Sequence, residues 1–139
     1  MSTSYSITDL PYKIAVLCYL YDEDDQLLML HRAKDPNKGK YSPIGGKLEV
    51  TRGESPHACA VREIQEESGV VVSPQEIRLS GMLAEKAYYK DNTNTHWLLF
   101  LFEVTRAIRH EQIQAMEFEA GTLEWVPVAE VQIIDMPDT

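Results

Sequence analysis

Apolar residues recur along this chain in short runs separated by polar turns, a pattern that favours strands. The first run, Tyr12 to Tyr21, holds four adjacent apolar residues at 14–17 and predicts a strand buried on both faces. Asp22 to Asp25 predict a turn, and Gln26 to Arg32 predict the returning strand. From Asp35 to Pro43, two prolines and a glycine interrupt the pattern, which predicts an extended loop.

The middle of the chain carries the signals of a helix at 56–68. Ser55 is a typical N-cap residue, Pro56 suits the first helical position, and Gly69 is a typical helix stop. The stripe of this helix predicted to enter the core consists of Ala58, Val61, Ile64 and Ser68. Upstream of the helix, the pair Gly45-Gly46 predicts a turn, although glycine permits close approaches as well as backbone angles that a β-carbon forbids.

The second half of the chain again favours strands. Its predicted elements are a short strand at Val70 to Val72, a turn at Ser73-Pro74, two long strands at Ile77 to Tyr89 and His96 to Arg106 joined by a polar hairpin turn, an irregular tract from Ala107 to Ala120, a last strand at Leu123 to Pro127 and a short helix at Val128 to Ile134. Strands around one strong helix predict an α+β fold. We expect a single domain over 1–139, with a loose lead-in at 1–11.

Charge and cysteine content narrow the class of protein. Thirteen basic and twenty-two acidic residues give a net charge of −9, which disfavours binding to a nucleic-acid polymer but allows a small nucleotide bridged by metal. Cys18 and Cys59 fall inside a predicted strand and helix and do not suggest a disulfide framework, which favours a reducing cytoplasm. The N-terminus has no signal-peptide pattern, and no apolar run is long enough for a membrane helix. We therefore expect a cytoplasmic protein without a membrane partner.

Three acids on the predicted helix are candidates for metal binding. At about 100° per residue, Glu63, Glu66 and Glu67 fall within roughly a third of the helix circumference. Like charges at these spacings repel one another, so the cluster favours a cation. Carboxylate oxygens are hard ligands that suit Mg²⁺ or Mn²⁺. The alternative for such a cluster is a solvated acidic face.

The residues around this helix resemble the Nudix box. That family pattern is a glycine, five residues, a glutamate, seven residues and then R-E-U-x-E-E-x-G-U, where U is aliphatic. Arg62 to Val70 match its second part, Glu54 stands at the required distance, and Gly45-Gly46 lie upstream. Seven residues rather than five separate Gly46 from Glu54. We take Thr51 and Arg52 as the insertion, although any two of residues 49–52 qualify.

The resemblance implies a fold and a set of site residues. The fold would be an α/β/α sandwich with a mixed central sheet, and the element order extends the resemblance over nearly the whole chain. It implies metal ligation by Glu63, Glu66, Glu67 and a main-chain carbonyl at the glycine pair, here that of Gly45. Glu63 is ligand or general base, Arg62 orients the acids, and Glu54 supports them. A loop acid just before the last strand, Glu117 or Glu119, is a further candidate ligand, and we choose Glu119.

Candidates for substrate contact lie outside the acidic helix. Arg32 ends the second strand and Lys47 follows the glycine pair, where each would either meet a phosphate or remain solvated. Aromatic residues that would either stack on a base or ribose or belong to the core are Tyr41, Tyr88, Tyr89, His96 and Trp97. Of these, we choose Tyr41 as the candidate for substrate binding. The apolar strand at 96–102 is open to both core and homodimer-surface interpretations.

The leading hypothesis is therefore a metal-dependent pyrophosphohydrolase acting on a nucleoside diphosphate derivative. Similarity to the compact, nucleotide-pool-sanitising branch of the family favours a (deoxy)nucleoside triphosphate cleaved to monophosphate and pyrophosphate. Hydrolysis of ADP-ribose, a nucleotide sugar or a dinucleoside polyphosphate is the alternative within that class. A different class is a Nudix-fold module that senses a nucleotide without cleaving it, but the complete set of box acids argues for catalysis.

Overall fold

The computed structural model of the chain describes residues 12–34, 38–88 and 94–133, and one mixed sheet forms its centre. The seven strands of the sheet are β1 Tyr12–Tyr19, β2 Gln26–Arg32, β3 Tyr41–Lys47, β4 Ile77–Tyr88, β5 Asn94–Val104, β6 Glu117–Phe118 and β7 Gly121–Pro127. Their order across the sheet is β4-β5-β1-β3-β2-β7-β6. β1 pairs with β5 in parallel, and the other neighbouring strands of the described residues are antiparallel. The predicted α+β class is confirmed.

The helix α1 spans Pro56–Ser68, the bounds that the sequence predicts. The Ser55 hydroxyl accepts a hydrogen bond from the Ala58 N–H at 3.1 Å, which satisfies one of the free donors of the first turn. Gly69 adopts a left-handed conformation with φ 83°, and its N–H donates to the Gln65 carbonyl. Local capping chemistry alone therefore fixes both ends of the helix.

The core-facing side of α1 differs from the predicted stripe. Ile64 and Ser68 are buried as expected, but Ala58 is exposed and Val61 only half-buried. The buried positions of α1 are Cys59, Ala60, Glu63, Ile64 and Ser68. The helix is thus rotated toward β3, so that a carboxylate, Glu63, lies on the buried side instead of pointing to solvent. Glycine at position 46 leaves the space that this carboxylate occupies.

The opposite face of the sheet has its own smaller cluster. Leu27, Met29 and Val126 are buried there, with Tyr41 and Val131 among the half-buried residues packed against them. Val131 belongs to a 3₁₀ helix at Val128–Ile133, which replaces the short helix predicted at 128–134; Ile134 lies outside the described residues. Elements therefore cover both faces of the sheet, as the sandwich prediction requires.

Gly45 and Gly46 do not form the predicted turn, because both lie in β3 and pair with Leu17 and Val16 of β1. A β-carbon on Gly45 would lie 2.0 Å from the Val16 carbonyl oxygen, and one on Gly46 would lie 2.4 Å from Glu63 Oε1. Close approach is therefore the reason for glycine at both positions. The turn follows later, as a 3₁₀ turn at Val50–Arg52. It contains Thr51 and Arg52, the residues taken as the insertion.

Other predictions differ from the structure mainly at element ends. β1 ends at Tyr19 rather than Tyr21, and β3 already begins at Tyr41, within the predicted loop 35–43. Val70 to Val72 form no strand, because Val70 and Val72 are buried against the core without pairing with the sheet. The tract 107–120 is irregular as predicted, apart from a 3₁₀ turn and the short β6.

The lead-in 1–11, residues 35–37 and most of the hairpin turn lie outside the described residues. Within the described ranges, no helix has the length and apolarity to cross a bilayer.

Candidate active site

The candidate site is built on an edge of β3 that another strand does not cover. Residues 41–43 of β3 pair with β2, whereas residues 44–47 pair with β1 on the opposite edge. Among the described residues, the remaining edge at Gly45–Lys47 faces α1. Glu67 Oε2 accepts a hydrogen bond from the Gly45 N–H at 3.3 Å, and the Lys47 carbonyl accepts one from Arg62 Nη2 at 3.1 Å. Because an extended residue directs its N–H and C=O to the same edge, the Gly45 carbonyl faces the acids too.

Arg62 holds this edge and the acids of α1 together. Its Nε and Nη2 donate to the two carboxylate oxygens of Glu54 at 2.7 and 2.9 Å, a bidentate pair. Its Nη1 donates to Glu63 Oε1 at 2.8 Å and to Glu66 Oε2 at 3.1 Å. One guanidinium therefore donates hydrogen bonds to three carboxylates and a main-chain carbonyl. That Arg62 orients the acids for metal binding stays a prediction.

The pairing fixes the charge of Glu54. Hydrogen bonds from Arg62 lower the pKa of the Glu54 carboxyl from 4.5 to about 2, and the same contacts raise the pKa of Arg62. Glu54 Oε1 also accepts a hydrogen bond from the Glu49 N–H at 3.1 Å. The Glu54 side chain is only 11% exposed. At neutral pH it is therefore an ionised carboxylate that pairs with Arg62 and with the turn that follows β3.

Replacing Arg62 by methionine is expected to destabilise the fold by about 3 kcal/mol, because Glu54 and Glu63 would be left as buried carboxylates without their charged partner. The double variant Glu54→Gln/Arg62→Met should lose less than the sum of the two single variants, as urea denaturation at neutral pH can measure. Since the folded-state pKa of Glu54 is lowered, its contribution is present above pH 4.5 and is lost as the pH falls toward 2. Additive losses at neutral pH would show that the pair is not coupled.

The three candidate ligands have different surroundings. Burial raises the pKa of Glu63 despite the neighbouring Arg62 charge. Burial, and next the charge of Glu63, raise the pKa of Glu67 to about 8. Glu66 is the outermost of the three, with a side chain 56% exposed. The burial of two carboxylates within one small region costs folding free energy that a bound cation would offset.

The donor set fits a hard divalent cation. In the ranges that the structure describes, no three His, Cys, Asp or Glu side chains are already grouped closely enough to hold one ion. Glu63 and Glu66 turn toward Arg62, whereas Glu67 turns toward Gly45. All the donors are nevertheless carboxylate or carbonyl oxygens, the ligands that Mg²⁺ and Mn²⁺ prefer. A glycine at 46 keeps the Glu63 carboxylate against β3, where any β-carbon would collide with it.

The residues predicted to contact substrate lie in different places relative to the acids of α1. Arg32 is near enough to Glu67 for its charge to lower the pKa of that carboxyl, although less than burial raises it. Lys47 extends over the ring of Trp97, with Nζ 5.4 Å from the ring centroid. Tyr41 packs in the cluster on the face away from α1 and stacks on His31 at 4.5 Å. The structure therefore brings Arg32 to the acids and does not bring Tyr41 there.

The loop acid chosen from the sequence also lies apart from the cluster. Glu119 is 86% exposed and pairs with Lys34 at 2.5 Å. Two other residues of the same tract, Gln114 and Phe118, do lie beside the acids. They line a small cleft together with Glu66 and Glu67. Sequence reasoning missed this contact, because the irregular tract gives no periodic signal from which a partner could be inferred.

Cys59 and Glu49 are further residues that sequence reasoning missed. Cys59 is buried, and its Sγ lies 3.8 Å from the Gly46 carbonyl and 3.6 Å from Arg62 Nη2. Glu49 Oε1 lies 3.7 Å from Arg62 Nη1. The position of Cys59, three residues before Arg62 on the helix, was an available signal, since residues at that spacing share a face.

Comparison with known proteins gives a family match over most of the chain. A sequence model of the NUDIX domain matches residues 11–139. The curated relative YvcI of Bacillus subtilis (strain 168), described as an uncharacterized Nudix hydrolase, is 31% identical over 114 residues. That alignment covers 81% of this chain and 65% of the relative. The chain thus spans less than two thirds of the length of this curated relative.

Solved structures resemble the fold over nearly the same range. The mutator MutT protein from Bacillus halodurans is 28% identical, with a TM-score of 0.70 over 89% of this chain and 74% of that one. A MutT protein from Methanosarcina mazei Go1 has a TM-score of 0.73 at 21% identity, covering 93% and 87%. The NUDIX domain of Shewanella oneidensis NrtR, solved with ADP ribose, has a TM-score of 0.73 at 17% identity, covering 93% and 81%. The last two likenesses concern the fold alone.

Proposed function

The chain belongs to the Nudix family, and from this premise we propose that it is a metal-dependent hydrolase that cuts the pyrophosphate bond of a nucleoside diphosphate derivative. The observation that carries the proposal is the edge of β3 at Gly45–Lys47. Three carboxylates of α1, the Gly45 backbone and the Arg62 guanidinium meet at this edge. Nudix relatives described as hydrolases support the same reaction class.

The donor set is suited to a phosphoanhydride. Such a group is anionic and repels an attacking hydroxide. A divalent ion, when bound by Glu63, Glu66, Glu67 and the Gly45 carbonyl, would neutralise phosphate oxygens and lower the pKa of a bound water. The chain itself fixes the acids on a rigid helix, whose C-terminal half is anchored by buried Ile64 and Ser68. Arg62 and Glu54 keep those acids oriented, and Arg32 supplies a positive charge on the same side as Glu67.

Within this class we favour a nucleoside triphosphate cleaved to monophosphate and pyrophosphate. The support is the similarity to the mutator MutT protein from Bacillus halodurans, at 28% identity. The likeness to the NrtR domain solved with ADP ribose concerns the fold only, at 17% identity. ADP-ribose therefore enters the test as the rival substrate rather than as a second proposal.

A panel of nucleotides tests the proposal directly. Purified protein is incubated with ribo- and deoxynucleoside triphosphates, ADP-ribose, nucleotide sugars and dinucleoside polyphosphates, each with Mg²⁺, with Mn²⁺ and with EDTA. We expect monophosphate and pyrophosphate from at least one triphosphate, and no products in EDTA. Cleavage of ADP-ribose alone would overturn the triphosphate assignment. Saturable binding of a nucleotide without turnover of any compound would overturn hydrolysis itself.

A further inference from the structure

Trp97 lies on the sheet face opposite α1, two strands away from Gly45 of the candidate active site. The Lys13 and Lys47 ammonium groups lie 5.7 and 5.4 Å from the centroid of its ring. The register explains this grouping, because Trp97 of β5 is the neighbour of Lys13 on β1, and Ala15 of β1 is the neighbour of Lys47 on β3. Residues two apart on a strand share a face, so the three side chains lie on one surface. The ring is half-buried, with two cations beside it.

Lys47 connects this surface to the acids. Its carbonyl accepts the hydrogen bond from Arg62, and Gly45, two residues earlier, donates to Glu67. At this point β3 has no second strand partner among the described residues, so a ligand can extend around its edge from the acids to the opposite face of the sheet. By strand spacing, the Cα atoms of Gly45 and Trp97 are about 16 Å apart, and the side chain of Trp97 shortens that path.

Glu85 adds a hydrogen-bond acceptor to the same surface. It is the direct partner of Trp97 in the register of β4 with β5, so the two side chains are neighbours on one face. Glu85 Oε2 is buried and has no hydrogen-bond partner; the only other such side-chain oxygen in the described part of the chain is Ser42 Oγ. Buried carboxylate oxygens without a donor are uncommon in folded proteins, so Glu85 Oε2 keeps an unused capacity to accept a hydrogen bond.

We propose that Trp97 and Glu85 bind the nucleobase of the substrate, with the base stacked on the Trp97 ring and an amino group of its edge donating to Glu85. This inference rests on the proposed function, because it places the phosphates of the same molecule at Gly45 and the acids of α1. Lys13 and Lys47 lie between the two regions and turn from the ring toward the phosphates when the base binds. Stacking of a base on an aromatic ring is worth more than an exposed cation–π contact, so the exchange favours binding.

The proposal makes the site selective for bases that carry an amino group. Adenine, cytosine and guanine each present an exocyclic amino donor, whereas uracil and thymine present carbonyl oxygens at the corresponding positions. A carboxylate accepts hydrogen bonds and cannot donate them when ionised. In the pose proposed for cytosine, uracil would place a carbonyl oxygen against the Glu85 carboxylate, and neither oxygen would receive a hydrogen bond from the other group. Cytidine nucleotides are therefore expected to bind better than uridine nucleotides.

Tryptophan fluorescence tests the stacking without any turnover. The chain has two tryptophans, and the variant Trp125→Phe leaves Trp97 as the single reporter. Nucleoside monophosphates, which contain no anhydride to cleave, are titrated with Mg²⁺ present, and N-acetyltryptophanamide corrects for absorption by the base. We expect saturable quenching by CMP and none by ribose 5-phosphate, which lacks a base. Absence of saturable quenching by every monophosphate, or equal quenching by ribose 5-phosphate, would overturn the inference.

Kinetics test specificity on the triphosphates that the nucleotide panel identifies. Trp97→Leu is expected to raise KM about tenfold with little change in kcat, a loss of about 1.4 kcal/mol in binding. Glu85→Gln should reduce the preference for CTP over UTP, since an amide can donate to a uracil carbonyl. An unchanged KM in Trp97→Leu together with an unchanged preference in Glu85→Gln would overturn the proposal.

The two proposals fail in different ways. Quenching of Trp97 by monophosphates without turnover of any anhydride would leave base binding supported and hydrolysis rejected. Turnover of an anhydride without quenching of Trp97 would leave hydrolysis supported and base binding at Trp97 rejected. Circular dichroism of Trp97→Leu separates a loss of binding from a loss of fold, and the Trp125→Phe titration needs no change at Trp97.

Discussion

Replacing Glu67 by glutamine is expected to lower kcat/KM on the preferred nucleotide by about a thousandfold or more, while the protein remains folded. The substitution keeps the shape of the side chain and removes the charge that would hold a divalent ion. Removal of a supporting residue outside the ligand set costs metal sites about 10 to 100-fold, so loss of a direct ligand should cost more. Glu66→Gln is expected to behave in the same way, and Glu23→Gln, at an exposed position in the turn between β1 and β2, is the matched control.

Metal binding can be followed separately from activity. Mg²⁺ or Mn²⁺ should raise the Tm of the wild-type protein, because a ligand that binds only the folded state stabilises it. In Glu67→Gln this rise should be much smaller. Without metal, the variant is expected to be at least as stable as the wild type, because Glu67 is a largely buried acid with a single hydrogen bond, to the Gly45 N–H. Full activity in both Glu66→Gln and Glu67→Gln would contradict the metal assignment.

The helix was predictable because its signals are local. Ser55, Pro56 and Gly69 each act on backbone groups within four residues, so their effect does not depend on the rest of the fold. The same holds for β2, which begins and ends at the predicted residues and is preceded by a turn of four acidic residues. The spacing of Glu54, Arg62 and the three acids was likewise sufficient to assign the family, whose sequence model matches residues 11–139.

The orientation of α1 was not predictable from its own sequence. A helical wheel places Glu63 among the solvent-facing acids, yet its carboxylate is buried, because Gly46 on β3 leaves room for it and Arg62 pairs with it. Gly45-Gly46 suggested a turn, but glycine permits turns and close approaches equally, so the sequence alone could not separate the two. Only the register with β1 shows that close approach is the cause.

The choice among aromatic residues depended on the sheet register as well. Tyr41, and not Trp97, was the aromatic residue chosen from the sequence, but a strand pattern gives only the alternation of faces and not which neighbours share a face. The register places Tyr41 beside His31 and Trp97 beside two lysines. Residues that are distant in the sequence, such as Lys13, Lys47 and Glu85, therefore enter the site through strand pairing alone.

The variants Gly45→Ala, Gly46→Ala and Gly81→Ala are expected to separate the contribution of β3 to stability from its contribution to activity. Gly45→Ala should destabilise the protein by about 3 kcal/mol, the upper part of the range for overpacking, because the new β-carbon would lie 2.0 Å from the Val16 carbonyl oxygen. That oxygen belongs to the backbone of β1, so relief requires the two strands to separate. Urea denaturation measures the loss, and Gly81→Ala in β4, with no atom within 4 Å of its β-carbon, is the matched control.

Gly46→Ala should reduce activity more than it reduces stability. Its β-carbon would meet the Glu63 carboxylate, 2.4 Å from Oε1, and a side chain moves more readily than a backbone. We therefore expect a smaller loss of stability than in Gly45→Ala, with a strong loss of activity because a candidate ligand is displaced. Gly81→Ala should change neither property by much, since alanine fits a strand at least as well as glycine. Equal stability of Gly45→Ala and Gly81→Ala would contradict the close packing of β3 on β1, and full activity of Gly46→Ala would show that the position of Glu63 against β3 is not required for the reaction.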